Sequence, residues 1–242
     1  PLIYVNLIGG QDDLVFDGGS FCMDKDKNII FQAPFFMEYK DNFSLKPLNK
    51  KKKLEKREKL RDLHNALVLS LRDYCTKAGF SSIILGISGG IDSALSAVIA
   101  CDALGENKVK GFFLPSTFTS NESKRDSIIL AEKLGINLDI ISIETLRKQY
   151  DELLSDQFKG LSRNVTEENI QSRIRGNLLM SLSNKFNSLL LTTGNKSELS
   201  VGYSTIYGDM CGGFSILKDI YKTEVFELSK WRNNNFSDLS LL

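Results

Sequence analysis

Histidine is almost missing from this chain: His64 is the one example in 242 residues. Histidine-rich metal sites are excluded on that count, and a Ser-His-Asp or Cys-His apparatus would have a single residue to draw on. His64 stands among Arg61, Asp62 and Asn65 on a helix-like stretch, where a solvated structural role is expected. Cysteine is scarce too. Cys22, Cys75, Cys101 and Cys211 lie far apart with no CxxC spacing, which argues against a disulfide framework or a zinc site and for a reducing, cytoplasmic setting. Proline numbers only 4, and with 42% hydrophobic and 25% charged residues the composition excludes collagen-like and globally disordered chains. No apolar run approaches the ~18 residues of a membrane span, and no basic-then-apolar signal segment opens the chain. Charge of one sign is lacking as well: 31 Lys+Arg against 30 Asp+Glu leave +1, a balance that calls for neither nucleic acid nor a membrane surface. Chemistry in such a chain is expected to run on bound ligands, metal and lysine.

What is present begins with a β-rich opening. Leu2 to Leu7 reads as a strand closed by Gly9 and Gly10, and Val15 to Met23 and Ile29 to Phe35 as further strands. Phe35, Phe36, Tyr39 and Phe43 follow in a loop. The segment is too short for a core of its own. The chain enters this strand pattern at Pro1 and ends on SDLSLL, and is expected to be a piece of something longer, truncated at its C-terminus. From Lys50 to Arg61 runs a charged stretch. Glu55 and Glu58 interrupt its basic residues, which favours a solvated helix start after a linker over a nucleic-acid patch. Leu60, Leu63, Leu67, Leu71, Tyr74 and Ala78 then step by three and four, the apolar face of a helix ending at Gly79.

Beyond Gly79, strands and helices alternate. Strands are expected at Ile83 to Ile87, Val109 to Leu114, Leu138 to Ile143 and Ser188 to Thr192. Helices are expected at Asp92 to Leu104, Asn121 to Leu134, roughly Thr145 to Phe158, and Thr166 to Phe186. Repeated strand–helix units with β-branched strands imply an α/β fold, a parallel sheet flanked by helices in Rossmann-like fashion.

The most informative segment is IILGISGGIDSALSA, Ile83 to Ala97. An apolar strand runs into Ser88-Gly89-Gly90 and a helix begins near Asp92 and Ser93. Glycines let backbone N–H groups close on an anion, and the helix N-terminus adds partial positive charge. Ser88 and Ser93 offer hydroxyl donors. Asp92 is ill placed beside bare phosphate but well placed to hold Mg²⁺ against it. The rival reading is a tight strand–helix turn with Asp92 as a cap; the position between strand and helix favours phosphate. No GK[ST] follows, so the loop is not of Walker type.

SGGxDS resembles the pyrophosphate loop of the N-type ATP pyrophosphatases, which adenylate a carbonyl oxygen, release pyrophosphate and let a nucleophile displace AMP. The segments LPSTFTS (114–120), ENIQSRIRGNLLM (168–180), TTGNKSELSVGYSTIYGDMCGGF (192–214) and KDIYKTEVFELS (218–229) narrow the likeness to the NAD synthetases. The opening VNLIGGQDDLVFDGGSF (5–21) resembles the closing part of the nitrilase-like glutaminase domain that precedes the synthetase in glutamine-dependent members. The resemblance implies a glutaminase remnant at 1–45, a linker at 46–59, and an ATP pyrophosphatase domain of the adenine nucleotide alpha hydrolase type at 60–242.

The same resemblance assigns roles. Gly86, Ile87, Ser88, Gly89, Gly90, Ile91, Asp92 and Ser93 hold ATP phosphates, with Thr193 on ATP and Pro115 and Ser116 lining its pocket. Phe113 departs from the ammonia-dependent members, where an arginine commonly precedes Leu-Pro. Asp92 and Glu198 bind Mg²⁺, and Glu198 also lies at the dinucleotide. Lys222 reaches the phosphates, where a cation suits the phosphorus centre and the leaving pyrophosphate. Lys196 is a second candidate cation. Asn169 and Arg173, four apart on one helical face, bind deamido-NAD. Tyr203, Tyr207 and Asp209 lie in a glycine-rich segment able to close over substrate, with Asp209 a further catalytic candidate.

The activity implied is ATP-dependent amidation of deamido-NAD to NAD through an acyl-adenylate, with ATP and Mg²⁺ required. Glutamine supplies the ammonia in the full-length enzyme, and a homodimer or higher homo-oligomer is expected. The glutaminase triad of Glu, Lys and Cys has no match in this chain, and Cys22 reads as structural. Two rivals stand: another ATP pyrophosphatase, of the GMP synthetase or tRNA-modifying type, and an inactive nucleotide-binding fragment.

Overall fold

The computed structural model describes residues 1–42 and 56–236. Most of the expected linker, Phe43 and the SDLSLL terminus lie outside the described residues. Two compact units, 1–78 and 79–242, divide the chain.

In the first unit, β1 (Leu2–Tyr4), β4 (Phe21–Met23) and β5 (Ile29–Gln32) form an antiparallel sheet. A separate hairpin pairs β2 (Ile8–Gln11) with β3 (Leu14–Asp17), and helix α1 (Lys59–Ala78) packs on it. Two expectations are corrected here. Gly9 and Gly10 do not end a strand; they form the middle of β2. A Cβ on Gly9 would stand 2.8 Å from the Asp73 carboxylate and one on Gly10 2.9 Å from the Ser70 backbone, so glycine is what lets α1 lie this close. Val15 to Met23 is two strands, because Gly18 and Gly19 turn with φ of 70° and 64°. His64 is also corrected: it is 4% exposed on α1, not solvated. Cys22 is fully buried and packs with Phe31 and Ala33, in keeping with a structural role.

The second unit is a five-stranded, all-parallel sheet in the order β10-β9-β6-β7-β8. Its strands are β6 (Ile83–Gly86), β7 (Val109–Phe113), β8 (Asn137–Ile140), β9 (Leu189–Thr192) and β10 (Phe214–Ser215). The connecting helices are α2 (Ile91–Leu104), α3 (Asn121–Leu134), α4 (Glu144–Leu153), α5 (Val165–Phe186), α6 (Lys196–Val201) and α7 (Lys222–Asn235). Helices α2 and α3 pack on β7, with α7 against α2; α5 packs on β6 and β9 and carries α4. Ile83, Ile84, Leu85, Leu189, Leu190 and Leu191 are all but inaccessible. That uninterrupted apolar run is what a central strand buried on both faces requires, and each such side chain contributes about 1.5–3 kcal/mol of burial. Arg232 of α7 forks onto both oxygens of Asp102 on α2 at 2.8 and 2.9 Å, tying the outer helix to the inner one.

Within this unit β6 is the first strand in sequence, and its neighbours β7 and β9 lie on opposite sides. The chain therefore reverses its winding between β6 and β9. In open α/β sheets the crevice outside the C-terminal ends of two such strands is where ligands bind. The segments leaving those ends are Ile87 to Gly90 and Thr193 to Asn195.

Candidate functional site

The loop after β6 is held by its own serines. Ser93 Oγ accepts from the Ser88 N–H at 3.1 Å and donates to the Gly90 carbonyl at 2.9 Å. Ser88 Oγ accepts from the Gly90 N–H at 3.2 Å and meets Ser93 Oγ at 3.1 Å. Gly89 has φ of 83°, and a Cβ there would lie 2.6 Å from the Ser123 carbonyl of α3. The loop is thus folded onto the first turn of α3 at a position only glycine fits. Gly90 is the N-cap of α2 and gives it no side-chain cap. The helix opens on uncapped N–H groups beside a closed serine loop, the arrangement that receives an anion.

Asp92 sits one residue into α2 and is held from two other elements. Its Oδ1 accepts from the side-chain amide of Asn195 at 3.0 Å, and its Oδ2 takes the Lys222 ammonium. Asn195 follows β9 and starts α6 with a capping box. Its Oδ1 accepts from the Glu198 N–H, and its own N–H donates to Glu198 Oε2, both at 3.1 Å. Lys222 is the first residue of α7, and its N–H donates to Ser197 Oγ at 3.0 Å. The starts of three helices, α2, α6 and α7, thereby contribute the side chains of one hydrogen-bonded cluster.

Two cavities open here. The first, about 420 Å³, is lined by Gly86, Ile87, Ser88, Thr193 and Asp209 over an apolar wall that includes Phe112 and Leu179. Arg175 also lines it; its Nε donates to the Leu114 carbonyl at 2.9 Å, and burial lowers the pKa of its guanidinium. The second, about 320 Å³, is lined by Asp92, Ser93, Glu198, Tyr203 and Lys218, and shares Ser88, Thr193 and Asp209 with the first. A pocket with one apolar wall and a few convergent polar groups is the usual form of a small-molecule site.

The segment from Gly202 to Gly213 is pinned to α5. Asp209 accepts from the Thr205 N–H at 2.7 Å, and its own N–H donates to Ser172 Oγ at 2.9 Å. Asn169 Oδ1 accepts from the Thr205 hydroxyl at 2.9 Å, and Arg173 Nε donates to the Ile206 carbonyl at 3.2 Å. A Cβ on Gly176 would meet the Gly208 carbonyl at 2.6 Å, so the segment also lies directly on that helix. Tyr203, Ile206 and Tyr207 remain exposed on it.

Of the residues singled out in the sequence, Gly86 to Ser88, Asp92, Ser93, Thr193, Glu198, Tyr203 and Asp209 share the paired cavities, and Lys222 joins through Asp92. Others stand apart. From the segment after β7, Leu114 and Thr119 line the first cavity. Pro115 and Ser116 bond within the fold, the Pro115 carbonyl to the Ile143 N–H and the Ser116 N–H to Thr119 Oγ1. The Lys196 ammonium lies 4.9 Å from the centre of the Tyr221 ring. Arg173 lines a third cavity of about 430 Å³ with Tyr150 and Tyr207. Sequence reasoning missed Asn195, Ser172 and Lys218. For Asn195 a signal existed: Asn followed three residues later by Glu is a capping-box pattern. Ser172 and Lys218 carry no local signature. Among the described residues no group of three or more His, Cys, Asp or Glu forms a metal cage, and no helix is long and apolar enough to cross a membrane.

The strand order and the cavities at its reversal define a doubly wound α/β protein with a small-molecule site at the switch point. The chain belongs to the NAD synthase family, whose model matches residues 63–236. It is 48% identical over 236 residues to the glutamine-dependent NAD(+) synthetase of Acinetobacter baylyi, spanning 96% of this chain and 44% of that protein. The Thermotoga maritima counterpart is 41% identical, across 96% of this chain and 47% of its own length. Among solved structures, the glutamine-dependent NAD+ synthetase of Acinetobacter baumannii in complex with ADP superposes with a TM-score of 0.92 at 44% identity, covering 99% of this chain and 46% of that one. The NH3-dependent NAD synthetase of Campylobacter jejuni gives 0.67 at 30% identity, over 73% of this chain and 74% of that one. The chain spans less than half the length of its glutamine-dependent relatives.

Proposed function

We propose that this chain carries out the ATP-dependent amidation of deamido-NAD to NAD. A carboxylate oxygen of the nicotinic acid attacks the α-phosphorus of ATP, the bond to the β-phosphate oxygen breaks, and pyrophosphate leaves. Ammonia then attacks the acyl carbon, loses a proton, and AMP departs as the carbon–oxygen bond breaks. The observation that carries this reading is the meeting of the Ser88–Ser93 loop, Asp92, Glu198 and Lys222 at the reversal point of a sheet of this family. The loop and the α2 N-terminus receive the phosphates with Thr193, and Lys222 leaves Asp92 to neutralise them. Asn169, Arg173 and Tyr203 bind the dinucleotide. Asp209 orients the segment that covers it, and Lys196 is assigned an auxiliary cationic role.

Asp92 and Glu198 line one cavity, and two carboxylates beside a phosphate loop suit Mg²⁺, which is commonly bound by one or two carboxylates together with substrate phosphates. These two residues would hold it, and the ion would supply charge neutralisation at the phosphates. The ADP in the Acinetobacter baumannii structure supports an adenine nucleotide here.

We further assign residues 1–45 to the tail of a glutaminase domain, 46–59 to a linker and 60–242 to the synthetase. Helix α1 packs on the β2–β3 hairpin, while the family match begins within that helix at residue 63. A homodimer or higher homo-oligomer is the assembly proposed. Four free thiols support a reducing, cytoplasmic setting.

The test is incubation with Mg²⁺-ATP, deamido-NAD and ammonium, with NAD and AMP measured together and Asp92→Ala alongside. Equal NAD and AMP from the parent, lost in the variant, is the expected result. AMP without NAD, or ATP binding with neither product, overturns the proposal.

A further inference from the structure

We propose that Asn195 is a positioning residue that sets the carboxylates of Asp92 and Glu198 toward one ligand. The proposal rests on the reading of those two residues given above. Asn195 is completely buried, so water does not compete for its side chain. Its amide is used at both ends: Oδ1 accepts from the Glu198 N–H, and Nδ2 donates to Asp92 Oδ1. Its main-chain N–H donates to Glu198 Oε2. One residue therefore holds an oxygen of each acid, one 103 positions away in sequence and the other three. The amide orientation is fixed by these partners. The flipped form would set donor against donor at Glu198 and acceptor against acceptor at Asp92.

A helix cap alone does not explain the choice of residue. Ser and Asp cap about as well as Asn. Only Asn has an acceptor for the cap and, on the same short arm, a donor for a carboxylate. Asp would place like charge against Asp92, and Ser is too short to reach it. Partners of this kind, which hold a ligand by its second oxygen, typically carry 10- to 100-fold in metal affinity when lost. Asn195 touches no reacting atom in this scheme; it acts through Asp92 and Glu198.

The test measures ATP binding by calorimetry with and without Mg²⁺, in the 242-residue chain, for the parent, Asn195→Ser, Asp92→Ala and the double variant. Melting temperatures are recorded for each. Asn195→Ser is expected to lose roughly tenfold of the Mg²⁺-dependent gain in ATP affinity, with metal-free ATP binding nearly unchanged. In the Asp92→Ala background the same substitution is expected to cost nothing more, since coupled residues are non-additive. If Asn195→Ser melts too low to assay, Asn195→Asp keeps the volume and the cap, and its non-additivity with Asp92→Ala is the readout. Additive losses, or an undiminished Mg²⁺ gain in a destabilised Asn195→Ser, reduce Asn195 to a cap and overturn the proposal. If Asp92→Ala keeps the full Mg²⁺ gain, the reading of Asp92 itself fails and takes the proposal with it. If Asp92→Ala loses the gain and Asn195→Ser keeps it, that reading stands and the positioning role alone is overturned.

Discussion

Lys222 and Asp92 stand 130 residues apart in sequence and share a hydrogen-bonded ion pair. The lysine is more than a third exposed and the aspartate mostly covered, so the pair is worth at most about 1 kcal/mol. On the proposed reading, a contact this weak competes with a cation for Asp92 and releases when phosphate offers the lysine a better partner. Lys222→Met is therefore expected to move two affinities in opposite directions. Free Mn²⁺, followed by electron paramagnetic resonance, binds a few-fold tighter once its competitor is gone, and ATP binds more weakly. Both affinities falling would mean that Lys222 only supports the fold. At the same scale, Gly89→Ala forces a Cβ into the Ser123 backbone at a left-handed φ, where an L-residue already costs roughly 1–2 kcal/mol. The loop must shift, so ATP binding is expected to fall at least tenfold while far-UV circular dichroism is unchanged. Unaltered ATP binding would remove the loop from the site.

At the scale of elements, the first turn of α4 anchors the segment after β7. Glu144 Oε2 accepts from the N–H and the hydroxyl of Thr117, both at 3.2 Å, and Arg147 binds both of its oxygens. The Arg147 hydrogen bonds hold the Glu144 carboxyl at about 2, against 4.5 ordinarily, with Thr117 adding to the effect. A carboxyl lowered by folding contributes stability that is complete above its unfolded value and lost as pH falls toward the folded one. The stability gap between the parent and Glu144→Gln is therefore expected to be largest above pH 4.5 and to close between pH 4.5 and 2. Unfolding midpoints measured across that range check it, and a gap independent of pH would show that the charge is not involved. Of the long elements of this unit, α2, α3, α5 and the central strands were legible in the sequence through caps, periodicity or apolar runs, whereas the 14-residue α7 was not among the expected helices. Helix α6 and strand β10, at six and two residues, were not legible either. Neither is long enough to show a period, and β10 exists through its pairing with β9. Gly9 and Gly10 misled for a related reason: they answer to α1, some 60 residues later, rather than to a turn.

At the scale of the whole molecule, the sequence motifs singled out Asp92, Glu198, Lys222 and the Ser88–Ser93 loop, whose residue types are written into contiguous segments. What links them was not legible. The Asn195–Asp92 bond and the hold of α5 on the 202–213 segment depend on which strands become neighbours, and no local pattern encodes that. The same whole-chain view bears on the nitrogen source. A thiol glutaminase needs a cysteine held as thiolate near neutral pH. Cys22 is inaccessible, burial pushes Cys75 up to about 11 and Cys101 up to about 12, and Cys211 is raised by burial and by Asp209. At Cys75, Cys101 and Cys211 the thiolate is thus disfavoured, and Cys22 is shut away from solvent. These 242 residues are therefore expected to form NAD with ammonium and to form none with glutamine in its place, at any glutamine concentration free of ammonia. Iodoacetamide at pH 7.5 is expected to leave Cys75 and Cys101 unmodified in the native chain, read by mass spectrometry, and to label both after unfolding. Glutamine-driven NAD synthesis abolished by Cys22→Ser would overturn this division of labour, since it would place the amide-cleaving thiol in the first unit itself.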